Sequence, residues 1–192
     1  MPKEQDNQQN PQSEKPVQQI QRFSSETRDM LRAQGSVVYE LSGQTLVSLK
    51  DAGKPFITTI FEYPYNSPSR LSEVAFNPNE LFLSGTNGKS MDKQMQALDE
   101  YNRMLRAKMS DVEAVIGSVS DYAELAFSHL EATGRFLFGP EYNNEMTRTT
   151  TQAFNTNLCV RFVKVYGFGI CVWGRHGMER VSIAPLIVPS TD

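Results

Sequence analysis

Residues 159–173 read CVRFVKVYGFGICVW, and this stretch decides the fold class. Two runs rich in β-branched and aromatic residues, Cys159–Tyr166 and Gly169–Trp173, flank a short glycine-containing connection at 167–169. Runs of this composition that are joined by such a turn are typical of an antiparallel hairpin. We therefore predict a hairpin here and a mostly antiparallel sheet in the C-terminal half of the chain.

The neighbouring segments extend the predicted sheet in both directions. Arg135–Phe138 and Met146–Thr151 have the composition of a second hairpin around a loop at 139–145. Val181–Val188 is a closing strand in this interpretation, and Pro185 within it indicates a sheet edge or a bulge, because proline cannot donate to a strand ladder. Further toward the N-terminus, four short strands are predicted, at Val37–Leu41, Phe56–Tyr63, Glu73–Phe76 and Glu80–Leu83.

Two main amphipathic helices complete the predicted domain. Over 90–109, apolar side chains recur at steps of three and four, and Ser90 suits the N-cap. A second helix is expected at about 118–133, with Gly134 at its end and with Glu124 on the face opposite its apolar residues. Strands in sequential antiparallel order with segregated helices indicate an α+β fold, which we place in a single domain over 23–192.

The N-terminal segment 1–22 has a different composition. It is rich in Gln, Asn, Pro and charged residues, and Val17 and Ile20 are its only aliphatic residues. Such a segment buries too little apolar surface to offset its ordering entropy, so we expect a disordered tail. The alternative is a docking arm that becomes ordered on a partner, with Val17 and Ile20 as anchors.

Charge and composition exclude several classes of protein. The chain of 192 residues has a net charge of −3 and no basic stripe, so we do not expect nucleic-acid binding. The first residues have no apolar core of a signal peptide, and no apolar run is long enough to span a bilayer. We therefore expect a cytoplasmic protein without membrane association.

The two cysteines, Cys159 and Cys171, both lie in apolar β-like runs. We interpret them as buried free thiols in a reducing compartment, although a hairpin would also allow a disulfide between them. His129 and His176 do not stand at metal-finger spacing from these cysteines. No metal site and no cofactor are predicted.

Residues 85–90 read GTNGKS and lie between a strand candidate and a helix, where backbone amides are placed to bind a phosphate. These six residues resemble the phosphate loop of the Mur ligase and folylpolyglutamate synthase families. That resemblance implies nucleotide binding through Gly85, Gly88, Lys89 and Ser90. The Walker spacing, however, requires a glycine where this chain has Leu83. The residues themselves therefore favour a Gly-Asn turn that leads into a serine-capped helix.

The segment Trp173–Arg180 (WGRHGMER) joins two apolar strands and concentrates aromatic and charged side chains. One hypothesis is a partner-binding loop in which Trp173 and Arg175 are the anchors, with Glu179 among the contact residues. A second hypothesis has Arg175 and Arg180 bind an anion, with His176 as an acid or base. The third interpretation is a charged loop that keeps two apolar strands soluble.

No catalytic residue is predicted. The chain has no G-x-S-x-G, H-E-x-x-H or G-x-G-x-x-G sequence, and His129 on an apolar helix face is more typical of a hydrogen-bonded core residue than of a general base. We therefore expect a non-catalytic module that binds another protein or copies of itself. The alternative is a small enzyme or ligand-binding domain that acts on an anionic small molecule through the Trp173–Arg180 loop.

Overall fold

The computed structural model describes residues 21–57, 66–142, 145–153, 155–164, 166–172 and 180–190. This part of the chain contains four helices and two sheets in which antiparallel pairing dominates, so the predicted α+β class is confirmed. Residues 1–20, which hold most of the predicted tail, lie outside the described residues. Arg22, at the end of that segment, forms an ion pair with Glu40.

The helices are α1 (Ser25–Ala33), α2 (Leu46–Asp51), α3 (Met91–Arg106) and α4 (Val119–Thr133), and a 3-10 turn spans Pro140–Tyr142. The strands are β1 (Val37–Glu40), β2 (Glu73–Phe76), β3 (Val112–Val115), β4 (Met146–Ala153), β5 (Thr156–Val163), β6 (Gly167–Val172), β7 (Val181–Ser182) and β8 (Leu186–Pro189).

One sheet, which we call sheet A, has the strand order β1-β2-β8-β3, and all of its pairs are antiparallel. Strand β3 was not predicted from the sequence. Strand β2 is buried along its whole length, whereas β1 is partly exposed at the sheet edge. The last strand in the chain therefore lies inside sheet A, between strands that come much earlier in the sequence.

The other sheet, sheet B, has the order β6-β5-β4-β7. The predicted hairpin at 159–173 is confirmed, because β5 and β6 pair antiparallel from Leu158↔Val172 to Val163↔Gly167. Strand β5 ends at Val163 and β6 begins at Gly167, and the amide of Tyr166 donates to the carbonyl of Val163 at 2.9 Å, so the chain reverses three residues earlier than the glycine pattern indicated. Residues 58–63 of the predicted Phe56–Tyr63 strand lie outside the described part, but Phe56 makes a parallel bridge to Phe168.

Pro185 separates two strands instead of interrupting one. Strand β7 pairs parallel to β4 in sheet B, and β8 pairs with β2 and β3 in sheet A. The predicted single strand Val181–Val188 is therefore wrong, since the chain crosses between the sheets at 183–185. Proline has no N–H group to donate to a strand ladder, so it is well suited to this crossing between the sheets.

Helix α4 makes contacts with side chains of both sheets. Its His129 packs edge-on against Phe76 of sheet A, and its Phe127 packs against Phe162 and Phe168 of sheet B. Tyr122 donates a hydrogen bond to the carbonyl of Ala184 at 2.6 Å, in the segment that crosses between the sheets. The helix is therefore buried around most of its circumference, beyond the one apolar face that its spacing predicted.

Two strands expected from composition are absent from the described residues. Over Glu80–Leu83, the Asn77 side chain and carbonyl accept hydrogen bonds from the amides of Asn79 and Glu80, so the segment is held by a turn. Arg135–Phe138 ends with Phe138 at φ 60°, a left-handed conformation that cannot continue a strand. Strand-like composition is not sufficient for these two segments to form strands, because both are short and each follows a turn or a helix end.

Glu124 is buried, although the sequence pattern predicted it on the polar face of α4. Its side chain points away from solvent and accepts four hydrogen bonds, two from the amide and hydroxyl of Ser42, one from the amide of Gln44 and one from the hydroxyl of Ser69. No lysine or arginine pairs with it among the described residues. The carboxylate thus ties two loops to α4 by satisfying their donors.

We expect Glu124→Gln to lower the free energy of unfolding by about 3 kcal/mol, because the new amide group would face hydroxyl and N–H donors instead of accepting from them. Urea unfolding measures this loss. Glu131→Gln is the matched control on the same helix, since Glu131 is exposed and pairs with Lys54, and it should cost less than about 1 kcal/mol. Equal losses for the two variants would contradict the bonding described for Glu124.

Candidate functional site

The segment 84–90, which contains the phosphate-loop candidate, packs against the start of β7. The amide of Gly88 donates to the carbonyl of Val181 at 3.1 Å, and the amide of Lys89 donates to the carbonyl of Thr86 at 3.1 Å. Ser90 occupies the N-cap of α3, but its side chain makes no capping hydrogen bond. The amide of Thr86 also donates to the carbonyl of Leu83, at 3.3 Å. Three amides of the loop are therefore engaged within the protein, and a phosphate would have to displace these bonds.

Thr86 fixes the base of this loop. It is fully buried, its hydroxyl donates to the carbonyl of Leu83 at 2.6 Å, and the same oxygen accepts from the amide of Ile183 at 3.2 Å. The left-handed backbone of Gly85 (φ 78°) and Gly88 (φ 67°) supplies the turns on either side. This geometry is that of a turn built onto a strand.

The loop meets the C-terminal end of the Trp173–Arg180 segment. The amide of Arg180 donates to Asn87 Oδ1 at 3.4 Å, and Asn87 Nδ2 donates to Glu145 Oε1 at 2.7 Å. The hydroxyl of Ser182 also donates to Glu145 Oε1. The direct hydrogen bond therefore joins two candidate segments across 93 residues of sequence, and Glu145 binds beside it.

Arg180 is the one member of the predicted Trp173–Arg180 site that the structure describes. It is exposed and has a left-handed backbone (φ 70°), and its carbonyl accepts from the amide of Met146 at 2.7 Å. Trp173, Arg175, His176 and Glu179 lie outside the described residues. Their proposed roles stay predictions.

Arg148 lies beneath this junction and was not singled out by its sequence context. Its side chain is only 2% exposed, its Nε donates to Gln94 Oε1 at 2.5 Å and its Nη2 approaches the carbonyl of Lys89 at 3.5 Å. No carboxylate pairs with it in the part of the chain that the structure describes. A fully buried guanidinium with neutral partners alone is unusual, because removing a charge from water is costly without an opposite charge.

Arg148 belongs to the face of sheet B that is turned away from α4. Residues directly opposite each other in a sheet point to the same side, and the register places one set of side chains together: Met146, Arg148, Cys159, Arg161, Cys171 and Val181. We call this set the outer face of sheet B. Met146, Cys159, Val181 and Cys171 form a small apolar cluster there, separate from the main core.

Arg161 is the second arginine on the outer face. Its Nε is buried and has no hydrogen-bond partner, and no ion pair to it occurs among the described residues. The outer face therefore holds two guanidinium groups without carboxylate partners in the described chain, next to an apolar cluster. Sequence reasoning missed this pair, because alternation places them together only when the strand register is known.

His129 has the surroundings of a core residue. Its Nδ1 shares a hydrogen bond of 2.9 Å with the hydroxyl of Tyr39, and its ring packs edge-on against those of Tyr39 and Phe76. Burial lowers the pKa of His129 from its ordinary value, and the positive charge of Arg135 lowers it further. The neutral ring is therefore favoured, which supports the core interpretation.

A cleft of about 470 Å³ opens beside the ends of β2 and β8, which pair only at Ala75↔Ile187. Its charged lining is largely paired already, since ion pairs join Arg22 to Glu40, Arg28 to Glu73 and Arg106 to Glu113. Several separate segments contribute to this lining, so no sequence motif pointed to it. The cleft offers few unpaired polar groups to a ligand.

Within the described ranges, no group of three or more His, Cys, Asp or Glu side chains could hold a metal ion. No helix in the same part of the chain is long and apolar enough to cross a membrane. The chain matches no protein-family model, no curated protein and no solved structure.

Proposed function

We propose that this protein is a non-catalytic protein-binding or assembly module whose contact surface is the Trp173–Arg180 loop together with the exposed Asn87 and Lys89. The observation that supports this most is the anchoring of Arg180. Its amide is bound by Asn87 and its carbonyl by Met146, so the end of the loop is attached to both the 84–90 turn and β4. Arg180 is therefore held in place before a partner binds, which lowers the entropic cost of a contact at this residue.

The composition of this surface suits a protein partner. Tryptophan and arginine are the residues that most often dominate binding energy at interfaces, and the loop contains Trp173, Arg175 and Arg180. In this proposal, the 84–90 segment supports the contact loop and does not bind phosphate. The module acts in the cytoplasm, as the sequence composition predicts.

We expect the double variant Trp173→Ala/Arg175→Ala to lower the affinity of self-association by at least about 10-fold, because two anchor side chains are lost. Sedimentation velocity over a concentration series measures the association. The control is Val47→Ala, which removes an exposed apolar side chain of α2 and should leave the association constant unchanged. An association constant equal to that of the wild type, in a double variant with an unchanged melting temperature, would remove this loop from the interface.

The second candidate function is binding of an anionic small molecule, and a specific observation favours it. Arg148 and Arg161 have no carboxylate partner in the described part of the chain, and Arg180 lies close to the same face. Guanidinium groups bind carboxylates and phosphates with two parallel hydrogen bonds. Such an anion would bind next to the Trp173–Arg180 loop, which is the protein-binding surface in the first proposal.

Thermal shift with inorganic phosphate, nucleotides and small carboxylic acids separates the two candidates. A rise in melting temperature that depends on ligand concentration, and that is lost in Arg161→Met, would support the anion site. Lys89→Ala should not change any shift caused by ATP if the 84–90 segment is only a turn. An unchanged melting temperature with every ligand would contradict the anion site and leave protein binding as the proposal.

A further inference from the structure

Cys159 and Cys171 face each other across the β5–β6 ladder. They are direct partners in the strand register, both are free thiols, and both belong to the apolar cluster on the outer face of sheet B. Cys159 is fully buried and Cys171 is partly exposed. The sequence placed both residues in one predicted hairpin and left a disulfide open, and the register shows that they are direct partners.

The hydrogen bonds around Phe168 show which kind of antiparallel pair the cysteines form. Phe168 directs its amide to the carbonyl of Pro55 and its carbonyl to the amide of Ile57, so both groups point away from β5. Main-chain groups alternate sides along a strand, and Cys171 is three residues further on, so its groups point toward β5. Cys159 and Cys171 therefore form a hydrogen-bonded pair, with Cα atoms about 5.5 Å apart.

This separation is compatible with a disulfide that is easily reduced. Disulfides join Cα atoms that are roughly 4.4–6.8 Å apart, so the backbone spacing is suitable. Directly opposed Cβ atoms in a sheet are, however, about 5 Å apart, whereas a relaxed disulfide holds them near 3.8 Å. The strands must draw together locally to form the bond, and disulfides that distort the backbone are the more readily reduced ones.

Each thiol has a positively charged neighbour. Burial raises the pKa of the Cys159 thiol to about 12, and the positive charge of Arg148 opposes that rise. Burial also raises the pKa of Cys171, and the positive charge of Arg161 opposes it. Since Cys171 is the more accessible thiol, it is the one that an external disulfide can reach first.

We propose that Cys159 and Cys171 are a reversible dithiol–disulfide pair that is oxidised by a small-molecule disulfide such as glutathione disulfide. The Cys171 thiol loses its proton to water, and its thiolate attacks one sulfur of the oxidant to form a mixed disulfide. One glutathione leaves as a thiolate and takes up a proton. Cys159 then loses its proton to water and attacks the Cys171 sulfur, which releases the second glutathione. Two protein thiols are oxidised to one disulfide, and one small-molecule disulfide is reduced to two thiols.

The position of the pair gives the oxidation a structural consequence. Cys171 lies two residues before Trp173, where the Trp173–Arg180 segment begins. A disulfide would link the end of β6 covalently to β5 at the base of that segment. Disulfides in reducing compartments are usually transient and redox-sensing, which agrees with a bond that is easily reduced.

The test is intact-mass spectrometry of the full chain after incubation with glutathione disulfide under native conditions and acid quenching. We expect a product lighter by two hydrogen atoms, without a glutathione adduct, that returns to the starting mass with excess reduced glutathione. In Cys159→Ala, the mixed disulfide on Cys171 should accumulate. In Cys171→Ala, the buried Cys159 should stay unmodified.

The mass spectrum of the wild-type chain tests the proposed disulfide by itself, even if a cysteine variant does not fold. A wild-type chain that remains a dithiol, or that carries only glutathione adducts or intermolecular disulfides, would overturn the proposal. Oxidation that occurs only after urea is added would overturn it as well, because it would show that the folded strands keep the sulfur atoms apart.

Discussion

Gln94→Leu is expected to lower the free energy of unfolding by about 4 kcal/mol, because it leaves a buried guanidinium without its main partner. Gln94 is fully buried, and its Oε1 accepts from Arg148. Its Nε2 donates to the carbonyls of Thr86 and Val181 at 2.8 and 2.9 Å. The leucine side chain makes none of these three hydrogen bonds. Urea unfolding monitored by circular dichroism measures the loss.

Gln96→Leu provides the matched control for this prediction. Gln96 lies on the exposed side of α3, so the same chemical change there should alter the stability by no more than about 0.5 kcal/mol. A comparably small effect of Gln94→Leu would mean that the charge of Arg148 is compensated by something other than Gln94. In that case, the contact between Arg148 and Gln94 would not hold the 84–90 segment against sheet B.

Gly167→Ala should destabilise the protein by about 3 kcal/mol or more, because it combines backbone strain with a steric clash. Gly167 has φ 97°, in the region that favours glycine, and a Cβ atom there would lie 2.3 Å from the carbonyl oxygen of Pro55. The clashing atom belongs to the backbone, and the adjacent amide of Phe168 donates to that same oxygen. Relief would therefore require the 55–57 segment to move away from β6.

Gly134→Ala separates the two parts of this effect. Gly134 also has a positive φ, of 71°, but a Cβ atom there would meet nothing within 4 Å. Its cost should be about 1 kcal/mol, from backbone strain alone. Thermal unfolding of both variants measures the difference, and equal losses would show that the contact between Pro55 and β6 does not constrain the fold.

The features that were predicted correctly from the sequence are those fixed by local pattern. Hairpin β5–β6 follows from two apolar runs around a short connection, and α3 and α4 follow from apolar spacing with a serine cap or a glycine stop. These signals lie within windows of about twenty residues, where helix and strand periods differ clearly. They determined the α+β class and the antiparallel character of sheet B.

The features that sequence reasoning missed depend on contacts between distant segments. Strand β3 is only four residues long, and its neighbour β8 lies more than seventy residues away in the chain. Arg148 occurs in a run of threonines that reads as an ordinary strand, and its burial follows from the packing of the 84–90 segment and Gln94 over it. Local composition carries no information about such partners.

The candidate site shows the same division. The 84–90 and 173–180 segments stand out by composition, but the hydrogen bond between Asn87 and Arg180 that joins them depends on the tertiary fold. The paired thiols and arginines on the outer face likewise require the strand register. Composition thus identified the two segments, whereas the tertiary fold and the strand register determine which residues lie next to each other.

The measurement that tests the central claim most directly is the molar mass of the full chain by light scattering coupled to size-exclusion chromatography, compared with that of Arg180→Gly. Glycine removes the side chain and relieves the positive φ, so the fold should be retained. We predict a defined oligomer for the wild type and a lower mass for the variant at the same concentration. Monomeric mass for the wild type at every concentration would contradict self-assembly, and an identical oligomer for both proteins would place the interface elsewhere.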